Sequence, residues 1–344
     1  MPLSKAAIAD LRPSEPCHIG IALPLDPAHA SLALWLKEAG FQVTVLVSDA
    51  PSQFADMIAA LDQSGVTVRL SQNNFAECDL DILLDTNGDM LREMSERLKG
   101  ATSFDAQLTH DDARSLPLPV VNLGESELIQ LCTLNHGLGQ ACVSGFLDIT
   151  NLQIAGTNVL VLGYGAAGQG VAKFASAYGA RITVCDDTPL NAARARLDGH
   201  RVLGLREALP QAQVVFAASR EMPPFTFDDL EHLPSGAFLC SASQDQSILP
   251  FEELQSEPSG KVIRDHVVEH RLPSGKAVKL VCEGRPIHLE GGDGLPLEYA
   301  DIAVAAQLRA IALLIDPNLQ VENGVQPLPP EVEDALSKAF SGQE

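Results

Sequence analysis

Between Val159 and Asp187 the chain reads VLVLGYGAAGQGVAKFASAYGARITVCDD: an apolar run, a glycine-rich turn, a helical stretch and a second apolar run that ends in acid. That order constrains the fold to a βαβ unit. Gly163 can take the tight turn that ends the first strand, Gly165 lets backbone approach a diphosphate with no side chain in the way, and Gly168 allows the helix to sit close on the strand. The turn residues Gly163, Tyr164, Gly165, Ala166, Ala167 and Gly168 lead into a helix N-terminus, whose unpaired amides favour phosphate. Asp186, about twenty residues beyond the glycines, stands where a carboxylate accepts both ribose hydroxyls of NAD and repels the extra phosphate of NADP. Asp187 follows it, and either acid also reads as a plain solvated strand end. Ala218 and Ser219, closing the later run QVVFAAS, complete the expected cofactor-binding set. NAD is the expected cofactor.

At 344 residues the chain exceeds what one hydrophobic core usually holds, so two domains are expected. Nearly half of the residues are apolar, enough to fill both. A formal charge of −22 argues against nucleic acid or an anionic membrane as partner, because phosphate surfaces repel such a chain. Seven cysteines lie scattered, without C-x-x-C, in apolar surroundings such as FLCSAS, a pattern of buried thiols in a reducing compartment. No uninterrupted apolar run reaches eighteen residues, and a cytoplasmic protein acting on a small-molecule substrate is expected.

Upstream of the glycine turn, CHIGIALPL, FQVTVLVS, VTVRL, DLDILLD and LPLPVVNL read as strands. HASLALWLKEAG, FADMIAALDQSG and DMLREMSERLKG read as helices, the last capped by Gly100. A helix from about Asn135 to Thr150 leads into the second unit. Its later strands are RITVCDD, HRVLGL, QVVFAAS, GAFLCSAS, VIRDHVV and AVKLVCEG, and LEYADIAVAAQLRAIALLIDP is one long helix. The fold class is α/β: two doubly wound, Rossmann-like domains with parallel sheets and a cleft between them. Residues 1–133 with 297–344 form the expected substrate domain, and residues 134–296 the NAD domain.

The segment GYGAAGQGVAKFASAYGARITVCDDTPLNAARA resembles the NAD-binding core of the adenosylhomocysteinase family, with its GYG-x-x-G-x-G turn, GARV, acidic strand end and D-P-x-x-A-x-x-A helix. IAG upstream fits at the same spacing. ILLDTNGDML is similar to the family's I-L-D-D-G-G-D-L, and CEGRPIHLEGGDGLP to its A-E-G-R-x-x-N-L and G-H-P. The resemblance implies that held NAD oxidises a nucleoside 3′ hydroxyl, acidifying the 4′ hydrogen. Thiol elimination, water addition and hydride return then complete a redox-neutral hydrolysis, which needs a carboxylate, a lysine and histidines near the sugar.

The likeness fails at those proton-handling positions. The middle acid of I-L-D-D-G-G-D-L is Thr86, between the surviving Asp85 and Asp89. The family's S-E-E-T-T-T-G maps on TSFDAQLT and leaves Asp105. Its K-x-x-x-D-N becomes Ile129, Thr133 and Leu134, the asparagine of A-E-G-R-x-x-N becomes His288, and the histidine of G-H-P becomes Leu295. DALSKAFSGQE does not match the family's C-terminal arm, so a homodimer rather than a tetramer is expected.

Four residues are candidate catalytic groups. His136, in LNHGLGQ, titrates in the range that proton exchange requires, or else anchors a helix. His288, in a loop returning toward the cofactor, serves likewise or is a hydrogen-bonded loop histidine. Asp85 and Asp89 end a strand where ligands of open sheets gather, or cap the helix that follows. Glu283 and Arg285 read as an ion pair, though the arginine suits a carboxylate. His18, His29, His110, His200 and His232 are isolated, His266 and His270 share a strand face, and no metal site is expected. The leading expectation is an adenosylhomocysteinase-like NAD enzyme that keeps the hydride chemistry but is not an efficient adenosylhomocysteine hydrolase. The alternatives are a 2-hydroxy-acid dehydrogenase, using Arg285 or Arg220, and a catalytically silent NAD-binding regulator.

Overall fold

The computed structural model describes residues 1–47, 54–70, 78–86, 88–104, 116–218, 225–242, 249–256, 260–319 and 321–342, with backbone alone at Asp89 and Gln255. Two compact units emerge, Met1–Cys132 with Leu297–Glu344, and Thr133–Pro296.

In the first unit the strands are β1 (His18–Ala22), β2 (Gln42–Leu46), β3 (Thr67–Arg69), β4 (Ile82–Asp85), β5 (Gly100–Ser103) and β6 (Pro119–Asn122). They lie in the order β3-β2-β1-β4-β5-β6, with Gly324–Pro327 added outside β6, and every pairing is parallel. The chain leaves β1 toward one edge and returns to run from β4 toward the other. That reversal, between β1 and β4, is where a doubly wound sheet opens a crevice over its strand ends.

The second unit holds β7 (Asn158–Leu162), β8 (Arg181–Cys185), β9 (Arg201–Val202), β10 (Val214–Ala217), β11 (Ala237–Ser241), β12 (Lys261–Arg264), β13 (Val267–Arg271) and β14 (Ala277–Val281). Its order is β9-β8-β7-β10-β11-β14-β13-β12, parallel except for the β12–β13–β14 meander. Side chains alternate between two cores, as the pleat requires. Val159, Val161, Val214 and Phe216 face one core, while Leu160, Leu162, Val215 and Ala217 face the other.

Several expectations are corrected. DMLREMSERLKG does not stay helical to Gly100: the helix is Asp89–Met94, and Gly100 opens β5 beneath Leu314, where a Cβ would meet Leu314 Cδ2 at 3.0 Å. VIRDHVV is not one strand but a hairpin that turns at His266, whose φ is +62°. His266 and His270 therefore share no strand face. The helix expected from Asn135 begins at Glu127 and continues as a π-helix, Gln130–Leu138, into Gly139–Thr150.

The two ends of the chain are tied together inside the first unit. Asp301, on the helix Leu297–Ile315 and 3% exposed, accepts the amides of Leu3 at 3.0 Å and Ser4 at 2.8 Å and the Ser4 hydroxyl at 2.6 Å. Those are donors that the helix Pro2–Ile8 cannot satisfy itself, having no side-chain cap of its own. Asp301→Ala is expected to lower the unfolding free energy by about 2–3 kcal/mol, since buried donors lose a charged acceptor. Urea denaturation checks this, and a change below about 0.5 kcal/mol would show that the anchor carries no weight.

Candidate functional site

The glycine turn is built as its spacing requires. Gly163 has φ +88°, a conformation that side chains resist, and a Cβ on Gly168 would overlap the Gly163 carbonyl oxygen. Among the described residues, nothing beyond Gly165's own chain neighbours lies within 4 Å of where a Cβ on Gly165 would stand. Gly165 caps the helix Ala166–Ala177 and, having no side chain, supplies no cap bond. The amides of its first turn, Ala166, Ala167 and Gly168, are thus left uncapped by the residue that opens the helix, the environment a diphosphate favours.

Asp186, just beyond β8, reaches back to this turn. Its Oδ2 accepts the Tyr164 amide at 2.6 Å and Asn191 Nδ2 at 3.2 Å, and its Oδ1 accepts the Thr188 amide at 2.7 Å. The carboxylate is held in one orientation at the rim of the turn. Tyr164 contributes its backbone here, because its ring is only 2% exposed. The ring stacks edge-on against His200, and its hydroxyl donates to Asp198 Oδ2 at 2.8 Å. Burial and the Asp198 carboxylate hold that phenol well above its usual pKa. Ala218 follows β10 and donates its amide to the Leu162 carbonyl at 2.9 Å, beside the turn. Ser219 and Arg220 lie outside the described residues, as does Asp105.

Glycines also set the floor of this unit. A Cβ on Gly170 would overlap the Asn135 carbonyl, and one on Gly139 would overlap Gly170 backbone. The helices Gly139–Thr150 and Ala166–Ala177 therefore meet backbone to backbone. His136 lies on the π-helix at this crossing, with Lys173 Nζ at 3.1 Å from its Nε2 and Phe174 edge-on. Burial and the Lys173 ammonium lower its pKa, so neutral imidazole is the resident form.

His288 is not in a loop but on the short helix Ile287–Glu290, 5% exposed, with Nδ1 3.9 Å from Cys142 Sγ. Burial raises the Cys142 thiol pKa, and with Glu290 lifts that of Cys282 to about 12, so these thiols stay protonated. The backbone just before His288 is unusual. Cys282, Glu283 and Gly284 take consecutive positive φ values, +52°, +54° and +81°. Arg285 bridges Glu283 at 3.1 Å and Glu290 at 3.2 Å, which makes it an internal pairing partner.

In the first unit, Asp85 is 4% exposed and ties the end of β4 to the following helix, accepting the Thr86 amide at 2.7 Å and the Leu91 amide at 2.9 Å. Asp89 opens the helix Asp89–Met94, whose cap position is Gly88. Ile129, 2% exposed, is core. His29 is not isolated: its Nδ1 lies 3.1 Å from Asp26 Oδ1, and its amide donates to the same oxygen at 2.8 Å. The signal was D-P-x-H at a strand end, which otherwise reads only as a helix cap. Among the described residues no group of three or more His, Cys, Asp or Glu side chains is arranged to hold a metal.

Residues 135–294 match the family model of the S-adenosyl-L-homocysteine hydrolase NAD binding domain. This unit is an NAD-binding domain. Among curated proteins, an adenosylhomocysteinase of Thermotoga maritima is 29% identical over 93% of this chain and 85% of its own length. An S-inosyl-L-homocysteine hydrolase of Methanopyrus kandleri is 28% identical over 95% of this chain and 83% of its own. Over most of its length the chain is thus similar, at a distance, to adenosylhomocysteinases and S-inosyl-L-homocysteine hydrolases. Among solved structures, a transhydrogenase from Sinorhizobium meliloti aligns over 86% of this chain and 95% of its own, with a TM-score of 0.44 and 15% identity, too remote to bear on function.

Two outcomes follow from this geometry. Asp186→Ala is expected to weaken NAD binding about tenfold to a hundredfold, because the carboxylate that orders the turn, and that would accept the ribose hydroxyls, is lost. Calorimetric titration checks it, and unchanged affinity would remove Asp186 from the site. Lys173→Ala is expected to raise the His136 pKa toward 6.5 while burial keeps it below that value. A depressed histidine pKa means that protonation opposes folding, so the stability it contributes is present above pH 6.5 and is lost as pH falls through the folded value. Imidazole NMR titration of the variant reads this directly; no upward movement would assign the shift to burial alone.

Proposed function

We propose that the chain is an NAD-dependent enzyme that acts by hydride transfer on a nucleoside or nucleoside-like small molecule and is not an efficient adenosylhomocysteine hydrolase. The observation that carries this reading is the contrast between the two units. The glycine turn and Asp186 have the spacing and geometry that the dinucleotide reading expects, while the positions expected to move protons have changed to Thr86, Ile129, His288 and Leu295. Adenosylhomocysteinase and S-inosyl-L-homocysteine hydrolase are named for nucleosides that differ in the base. What those names share, a purine nucleoside, is the substrate class the reading adopts.

Gly163, Gly165, Gly168 and the amides of the first helical turn would hold the diphosphate, and Asp186 the adenosine ribose. Bound there, NAD supplies a hydride acceptor. Asp85 is engaged by the Thr86 and Leu91 amides, which suits an anchoring residue better than a base. With Ile129 buried and apolar at the lysine position, the elimination chemistry of the relatives loses a proton-transfer group, a change that commonly costs about a hundredfold or more in rate.

The test loads the protein with NAD and adds adenosine, inosine, adenosylhomocysteine or inosylhomocysteine while following NADH fluorescence and free homocysteine. The Thermotoga maritima relative runs alongside. The expected result is NADH formation with at least one nucleoside, and homocysteine release at least about a hundredfold slower than in the relative. Homocysteine release at the relative's rate would overturn the divergence. Silence in NADH fluorescence with all four compounds would overturn the nucleoside redox reading.

A further inference from the structure

At the turn after β7, three successive carbonyl oxygens, those of Gly163, Tyr164 and Gly165, face the start of the helix Ala166–Ala177. A Cβ on Gly168 would overlap the Gly163 oxygen, so that carbonyl rests against Gly168. The Gly165 carbonyl accepts the Gln169 amide at 2.9 Å, the first bond of the helical ladder. Between them the Tyr164 carbonyl lies outside that ladder and accepts Gln169 Nε2 at 3.1 Å. Gln169 thus holds two neighbouring carbonyls, one with its backbone and one with its side chain.

A trans peptide is planar and points its C=O and N–H to opposite sides. Carbonyls turned toward Gly168 and Gln169 therefore turn the amides of Tyr164, Gly165 and Ala166 the other way. Asp186 takes the Tyr164 amide at 2.6 Å, while those of Gly165 and Ala166 have no acceptor among the described residues. Gly165 itself is not demanded by the fold. Its φ of −67° and ψ of −171° suit any residue, and among the described residues nothing beyond its chain neighbours would touch a Cβ there. A glycine that neither backbone nor packing requires is explained by a ligand that must come close. Of the three carbonyls, the Tyr164 carbonyl takes its direction from a side chain. Without that bond, the Tyr164–Gly165 peptide can turn over by changing ψ of Tyr164 and φ of Gly165, and glycine accepts the φ of either state. A carbonyl oxygen would then stand where the Gly165 amide stood.

We propose that Gln169 is a positioning residue for the NAD diphosphate: it draws the Tyr164 carbonyl aside, so that the negative oxygens meet the Gly165 and Ala166 amides and no carbonyl. This rests on the placement of the diphosphate at the glycine turn proposed above and adds the side chain that orders the turn for it. It does not depend on the nucleoside as substrate.

The experiment titrates NAD, ADP-ribose and AMP into the full chain, stripped of nucleotide, by calorimetry. It compares wild type with Gln169→Met, which keeps the length of the side chain and loses the donor, and with Gly165→Val, whose added atoms meet the ligand and not the fold. Gln169→Met is expected to bind NAD and ADP-ribose about threefold to tenfold more weakly, the weight of one hydrogen bond, with a smaller loss for AMP, which has no diphosphate. A turn that is merely loosened weakens all three ligands alike, and that result overturns the proposal. Gly165→Val is expected to lose NAD binding. NAD affinity within about twofold of wild type in Gln169→Met, with binding lost in Gly165→Val, overturns the role of Gln169 and leaves the diphosphate at the turn. Unchanged affinity in Gly165→Val overturns that placement, and the role of Gln169 falls with it. If Gln169→Met fails to fold, the NMR signal of the wild-type Gly165 amide decides: movement on saturation with ADP-ribose but not with AMP supports the proposal, and any other response overturns it.

Discussion

The hydrogen bond from the Tyr164 amide to Asp186, 2.6 Å long, holds the NAD-binding unit's function to its fold. It joins the turn after β7 to the end of β8. The acid that would recognise ribose therefore also fixes the loop that would receive diphosphate. Both groups are set before any ligand arrives, which limits the entropy lost on binding. The geometry tolerates little substitution: Gly163 sits at positive φ, Gly168 rests on the Gly163 carbonyl, and Gly139 and Gly170 bring two helices into backbone contact. Glycine supplies closeness here, and one carboxylate supplies order.

Much of the fold was legible because its strands are apolar runs buried on both faces, as ILLD, VLVL and VVFA show, and because the helices between them repeat at helical spacing. Where the chain hid its structure, the reason is local. β5 is GATS, four small residues with no apolar run, and it becomes a strand only because β4 and β6 flank it. The β12–β13 turn is made by Asp265 and His266 without glycine, so the hairpin reads as a continuous strand. The strand Gly324–Pro327 ends in proline at a sheet edge, where a missing amide does no harm, and proline in sequence argues for a loop.

The site divides in the same way. The placement of Asp186 beside the turn was legible because a fixed distance links it to the glycines. Asp85 was legible as a residue at a strand end, but the choice between base and anchor depends on the Thr86 and Leu91 amides, which no spacing reveals. The Asp26–His29 pair was hidden because D-P-x-H is an ordinary helix start, and only the rotamer that folds the ring onto the cap turns it into an ion pair. His136 depended on Lys173, thirty-seven residues away, brought close by the glycine crossing.

The two units share one strand order around their reversal points, yet their first turns have opposite chemistry. In Thr133–Pro296 the turn after the first strand is Gly-Tyr-Gly, and the helix it opens has a glycine cap without a side-chain bond, leaving its first amides and partial positive charge uncapped by that residue. In the other unit the corresponding turn is Leu-Pro-Leu-Asp-Pro. Pro24 and Pro27 carry no amide hydrogen, and the Asp26 carboxylate already accepts the His29 amide, standing where a phosphate would have to sit. A phosphate approaching this helix would meet a fixed negative charge in place of open donors. The same topology thus offers a phosphate an open helix start in one unit and a start already occupied by a carboxylate in the other.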